Sequence, residues 1–159
     1  MIGTVVQVSV SQGGVPKLGV PSAALTDVGM TGDSWRYPFH GGRRRPVLLI
    51  AAEGIDELIS QGYPLFAGAL GENLTIRGID RRELRLRQRL RVGDAEIVLT
   101  EIRTPCATLD VYGSGIQAAM FDAQVQAGDP ESPRWGLSGF YASTVRAGIV
   151  RTGDPITLL

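Results

Sequence analysis

Short β-prone runs cut apart by glycine are what most constrain the fold of this chain. Residues 2–10 (IGTVVQVSV) are rich in β-branched side chains and partly alternate, and 20–28 (VPSAALTDV) read as a second, edge-like strand. Pro46 to Ala51 form an apolar run of the kind a buried strand shows, and Leu74-Thr75-Ile76 a shorter one. From Glu83 to Val92 leucines and Val92 alternate with Arg85, Arg87, Arg89 and Arg91, which predicts a strand with an arginine face; 95–102 (AEIVLTEI) is its returning partner after the Gly93-Asp94 turn. Residues 139–159 read as strand, turn, strand, turn, strand, a meander. Only 53–61 and 115–124 place apolar residues at helical spacing. Many short strands and few helices predict a mostly β domain, a distorted closed β-barrel with two or three short helices, closure being the economical way to protect strand edges. The length suits one domain over residues 1–159.

Charge narrows the functions. Sixteen acidic and sixteen basic residues cancel, so no global field draws the chain to nucleic acid or to an anionic membrane. An anion site must then be local. The arginine face from Arg85 to Arg91 lacks the interleaved aromatics of a nucleic-acid stacking platform, and a solvated strand face is the plainer reading. Lys17 is the sole lysine among the sixteen basic residues; the others are arginines, which keep their charge and fork onto phosphates. The N-terminus has no basic region followed by an apolar run, and no window approaches membrane-span length. With a single cysteine, a reducing, cytoplasmic setting is expected and no membrane partner.

That cysteine sits in Arg103-Thr104-Pro105-Cys106, where a strand-like run gives way to irregular chain. One thiol makes neither an internal disulfide nor a dithiol pair, so Cys106 is a nucleophile, a metal ligand or a buried small apolar group. Arg103 favours the thiolate, and Pro105 restricts the backbone just before it. His40, the only histidine, precedes Gly41 and Gly42, where bare backbone N–H groups approach an anion, and Arg43, Arg44 and Arg45 add donors. A lone loop histidine is equally at home as a hydrogen-bonded structural residue, and an arginine cluster as a solvated face. Asn73 carries both a donor and an acceptor, suited to a ligand edge or to capping its own loop, and Glu72 is either a partner to an arginine or His40 or a structural ion-pair member.

Taken in order, Gly32-Asp33, His40-Gly41-Gly42, Gly71-Glu72-Asn73-Leu74-Thr75, Arg103-Thr104-Pro105-Cys106, and Gly139-Phe140-Tyr141 through Gly148 to Gly153-Asp154 resemble the MOSC domain family, named for the C-terminal domain of molybdenum cofactor sulfurases. The match spans nearly the whole chain. The resemblance implies a β-rich barrel and a pocket for the pterin-dithiolene molybdenum cofactor. Cys106 would be the catalytic residue and metal ligand; His40, Gly41, Gly42, Arg43, Arg44, Arg45, Gly71, Glu72, Asn73, Thr75 and Arg103 would line the cofactor site. In members that reduce N-hydroxylated small molecules the matching cysteine ligates molybdenum; in sulfurases it is thought of as a sulfur carrier. The first implies an oxidoreductase. Because the chain has no cysteines for a cluster and no room for a flavin domain, its electrons would come from a separate flavin or iron-sulfur protein. The alternatives are a non-enzymatic sulfur-carrier or cofactor-delivery domain with a persulfide on Cys106, and a small β-barrel module binding another anion or nucleic acid.

Overall fold

The computed structural model describes residues 1–34 and 47–159. In chain order the strands are β1 (Ile2–Val10), β2 (Leu18–Val20), β3 (Ser22–Thr26), β4 (Gly29–Met30), β5 (Val47–Ala51), β6 (Leu74–Arg77), β7 (Arg89–Val92), β8 (Ala95–Ile102), β9 (Phe140–Arg146), β10 (Gly148–Arg151) and β11 (Pro155–Leu158). The helices are α1 (Ala52–Ser60), α2 (Ile116–Met120) and α3 (Ala123–Gln126), with 3-10 turns at Arg81–Glu83 and Ala107–Tyr112.

Seven strands close into a barrel in the order β11-β7-β8-β9-β5-β6-β1, with β1 returning to β11. Closure depends on the length of β1. Ile2 to Thr4 pair with β11, Thr4 to Val8 with β6 across a bulge between Val5 and Gln7, and Val8 to Val10 with the flanking β2. One strand thus changes partners as it bends, which is how a bulge lets a sheet curl onto itself. The closed barrel with few short helices matches the expectation from sequence.

β5 explains the layering. All five of its residues are buried, because it lies between β6, to which it is parallel, and the antiparallel β9, and both its faces are covered. Successive side chains point to opposite faces. Val47 and Leu49 therefore join the barrel interior with Val5, Leu74, Ile97 and Phe140, while Leu48 and Ile50 join a second cluster with Ile55 and Leu58 of α1, Leu109, Ile116 and Leu137. The apolar run of β5 does not alternate because neither face meets water.

Three expectations are corrected. The alternation over Glu83–Val92 is not one strand: only Arg89–Val92 pairs as a strand. Asp80 caps a 3-10 turn by accepting from Arg82 N–H at 2.9 Å, and Arg87 takes a left-handed backbone with φ of 74°. Of the proposed arginine face, only Arg89 and Arg91 lie on a strand. The helix expected over 115–124 is two, split at Phe121-Asp122, because Asp122 accepts from Val125 N–H at 2.8 Å and starts α3 afresh. The C-terminal strands form no meander. β9 pairs with β5 and β8, β10 leaves the barrel to pair with β3, and β11 returns to β1 and β7.

Among the described residues no helix is long and apolar enough to cross a membrane.

Candidate functional site

β8 and β9 carry the centre of the site. Their ladder runs to Ile102 opposite Phe140, and the next backbone bond, Arg103 N–H to the Gly139 carbonyl at 2.9 Å, extends it by one step. Gly139 has φ of +100°, and a Cβ there would stand 2.7 Å from Ile50 Cγ1 and 3.0 Å from the Leu49 carbonyl oxygen, so only glycine brings this backbone against β5. Ser138, fully buried, donates from Oγ to the Arg103 carbonyl at 2.6 Å. Sequence reasoning passed over Ser138: a lone serine before a glycine carries no signal until its partner across the strands is known.

Past Arg103 the chain turns outward. Pro105 is buried, Cys106 is exposed, and Cys106 has extended backbone as the residue preceding the Ala107–Tyr112 turn. The thiol is thus not a buried apolar group. Arg103 is the opposite, only 7 % exposed, and its one described side-chain hydrogen bond is long, Nη1 to the Ser138 carbonyl at 3.5 Å. Burial pulls its pKa down from the ordinary arginine value, while Tyr141, Cys106 and Glu72 act on it in the opposite sense. A cation with weak hydrogen bonding, close enough to feel a thiol and two further acidic groups, is the electrostatic centre of the site.

Glu72 is fully buried. Its carboxylate accepts from Leu70 N–H at 3.2 Å and from Thr75 Oγ1 at 3.1 Å. Desolvation raises its pKa above the ordinary carboxylate range, against the lowering effect of backbone N–H groups, Thr75 and Arg103. Thr75, itself 1 % exposed, supports Glu72 rather than facing solvent. Gly71, at φ of +87°, makes the bend before Glu72. Tyr112 connects this loop to the Cys106 turn: its hydroxyl donates to the Ala69 carbonyl at 2.5 Å, and its ring meets Phe66 edge-on. Burial raises the pKa of Tyr112, with Glu72 adding to the shift. Tyr141, on β9, is likewise raised by burial and opposed by Arg103. The sequence assigns neither tyrosine a role near Cys106: Tyr141 enters only within the Gly139-Phe140-Tyr141 stretch, and Tyr112 not at all.

Asn73 is buried and committed. Its Nδ2 donates to Ser9 O at 3.2 Å and to Asp33 Oδ2 at 2.8 Å, and its Oδ1 accepts from Leu48 N–H at 3.0 Å. Asp33 in turn receives Lys17 Nζ at 2.6 Å. Cys106, Arg103, Glu72 and Thr75 thus form one electrostatically linked group, whereas the Asn73 amide is committed to Ser9, Asp33 and Leu48. His40, Gly41, Gly42, Arg43, Arg44 and Arg45 lie outside the described residues.

A separate cleft of about 630 Å³ opens between α1 and the Arg81–Glu83 turn, lined by Glu53, Glu57, Asp80, Arg81 and Arg82 among others. Its charges satisfy one another, Arg81 with Glu57 and Arg82 with Asp80, and it contains none of the site residues above.

Comparison with known proteins places this geometry in context. The model of the MOSC domain family matches residues 36–157. "Uncharacterized protein YflK" of Bacillus subtilis (strain 168) is 28 % identical over 123 residues, covering 76 % of this chain and 50 % of the relative. The chain therefore spans half the length of that curated relative. Among solved structures, YiiM from Geobacillus stearothermophilus superposes with a TM-score of 0.71 at 20 % identity, over 99 % of this chain and 75 % of that one. YiiM from Escherichia coli gives 0.70 at 22 % identity, over 100 % and 70 %. At such identities the likeness speaks to the fold alone.

Proposed function

The chain belongs to the MOSC domain family, which is associated with the molybdenum cofactor, and we propose that it binds this cofactor with Cys106 as the metal ligand and reduces N-hydroxylated small molecules. The observation that carries the reading is an exposed Cys106 three residues past a nearly buried Arg103, whose positive charge the thiol favours electrostatically. A thiolate is a soft donor suited to a redox metal that already holds sulfur ligands.

The donor chemistry fits. Cys106 would hold the metal, Arg103 would offset negative charge near it, and the segment from His40 to Arg45 would supply backbone N–H groups and guanidinium forks for the cofactor's phosphate. Glu72, held by Thr75, lies within electrostatic reach of Arg103. What the cofactor supplies when bound is a two-electron redox couple. Reduction of an N–hydroxyl group takes up an electron pair and a pair of protons and releases water; a separate flavin or iron-sulfur protein in the cytoplasm would deliver the electrons.

Protein produced in a host that synthesises the cofactor should contain molybdenum and, after oxidation, give pterin fluorescence. Protein free of both from such cells would sink the reading. Exposure of Cys106 also favours a second role, as a sulfur carrier. A cysteine desulfurase persulfide would then pass its terminal sulfur to the Cys106 thiolate, leaving a thiolate on the donor. Intact-mass analysis after that incubation should show one added sulfur on the wild type and none on Cys106→Ser.

A further inference from the structure

We infer that Tyr112 is a positioning residue: its bond to the Ala69 carbonyl holds the turn after Cys106 against the loop that carries Glu72, and so fixes where the thiol stands. The consequence for the cofactor rests on the metal-ligand role proposed above for Cys106.

The turn needs an anchor. Ala107–Tyr112 is a 3-10 turn of six residues, longer than this geometry usually sustains, because its hydrogen bonds are poorly aligned. It starts with Leu109 N–H donating to the Cys106 carbonyl at 3.1 Å and ends with Gly113 N–H donating to the Asp110 carbonyl at 3.0 Å. Cys106, Ala107, Asp110 and Val111 are exposed, so contacts on the remaining edge decide where the turn lies.

Three residues complete a 3-10 turn, which puts Leu109 and Tyr112 on one edge. Leu109 is fully buried, in one apolar cluster with Ala69, Leu70 and Ile116. Tyr112 donates its hydroxyl to the Ala69 carbonyl at 2.5 Å and sets its ring edge-on to Phe66, with centroids 6.4 Å apart. Just past the turn Gly113 lies against Tyr63, where a Cβ would stand 3.3 Å from the ring. Residues 63–72 are thus a wall that meets the turn at Tyr63, Phe66 and Ala69. The same stretch leads into Glu72, whose carboxylate accepts from Leu70 N–H at 3.2 Å, one residue from the Tyr112 acceptor.

Of these contacts the hydroxyl bond is the directional one. Apolar burial of Leu109 resists withdrawal of the turn but does not fix its register along the wall, whereas a hydrogen bond to one carbonyl does. Ala69 is fully buried, so a side chain at 112 without the oxygen leaves that carbonyl short of a partner. Burial and the Glu72 carboxylate both keep the phenol protonated, and therefore a donor.

Cys106 is the chain's one cysteine, so a nitroxide attached there reports on the site with no other substitution. Electron paramagnetic resonance spectra of the labelled full chain are compared for wild type, Tyr112→Phe, which keeps the ring and loses the hydroxyl, and Val111→Ala, at an exposed neighbour in the same turn. The mobile fraction of the nitroxide should rise by roughly two- to tenfold in Tyr112→Phe and stay at the wild-type level in Val111→Ala. A bond that only stabilises the fold would lower the urea midpoint and leave the spectrum of the folded protein as in wild type. An unchanged spectrum in Tyr112→Phe, or the same rise in Val111→Ala, would therefore overturn the positioning role. If Tyr112→Phe does not fold, Phe66→Leu, which removes the ring contact at an exposed position, decides by the same readout with a smaller rise expected. Molybdenum content of unlabelled protein from a host that synthesises the cofactor is read in parallel and should fall in Tyr112→Phe. Faster nitroxide motion where the wild type itself lacks molybdenum upholds the hold on Cys106 and fails the cofactor reading. Faster motion with molybdenum content equal to a loaded wild type overturns the positioning role.

Discussion

Ser138 and Arg103 are bonded in both directions: Ser138 Oγ donates to the Arg103 carbonyl at 2.6 Å, and Arg103 Nη1 reaches back to the Ser138 carbonyl at 3.5 Å. The exchange continues the β8–β9 ladder just beyond its last strand pair and sets where the chain departs toward Cys106. Ser138→Ala would leave the Arg103 carbonyl without this partner in a fully buried place. The expected cost is about 1–3 kcal/mol, read as a lower urea midpoint, and molybdenum retention should fall with it. An unchanged midpoint would show that the bond does not matter to stability.

Cys106→Ser separates the site from the fold. The thiol is exposed, so its loss removes no core packing, and stability should stay within about 0.5 kcal/mol of wild type. Molybdenum content should drop to background in the same preparation. A variant that keeps its metal would rule out Cys106 as the ligand.

Glu72 predicts a pH dependence with a definite sign. Its folded pKa lies above the ordinary glutamate value chiefly because of burial, so between the unfolded and folded pKa values the folded state binds the extra proton. Stability from this group is then fully present below the unfolded pKa and declines as pH rises through the folded value, each unit of separation counting for about 1.4 kcal/mol. Denaturation midpoints measured from acid to neutral pH should fall more steeply in wild type than in Glu72→Gln. Parallel profiles would contradict the assignment.

Gly139→Ala tests the close approach of β5 and the Arg103 segment. A left-handed backbone on a non-glycine residue costs about 1–3 kcal/mol, and overpacking against Ile50 and the Leu49 carbonyl a similar amount. A loss of roughly 2–5 kcal/mol in chemical denaturation is expected. Tolerance of alanine would mean that β5 and the residues before β9 can move apart.

Much of this molecule is written locally. The apolar run of β5, the alternation of β8 and the helical spacing of α1 each declare which faces must be covered, because side-chain direction follows the backbone period. The ordered series of glycine turns and the Arg103-to-Cys106 stretch pointed to the MOSC domain family, and the family match over 36–157 bears that out. Periodicity misled over Glu83–Val92, where alternating leucine and arginine suited a strand but Asp80 capping and the left-handed Arg87 broke it. It misled again at Asp122, whose capping bond divides one expected helix into two. Local pattern names faces and turns; it carries no address for partners. That β1 closes the barrel onto β11, that β10 abandons β9 for β3, that Ser138 meets Arg103, and that the Asn73 amide is consumed by Asp33, Ser9 and Leu48 are all contacts between residues far apart in sequence. Such pairings are chosen by ring closure and by the need to satisfy every buried polar group at once, conditions that exist only in the folded chain. The sequence singles out Cys106 as the chain's one thiol and, from its identity alone, leaves its use open. Only the tertiary structure decided that Cys106 is exposed while Arg103, three residues earlier, is buried.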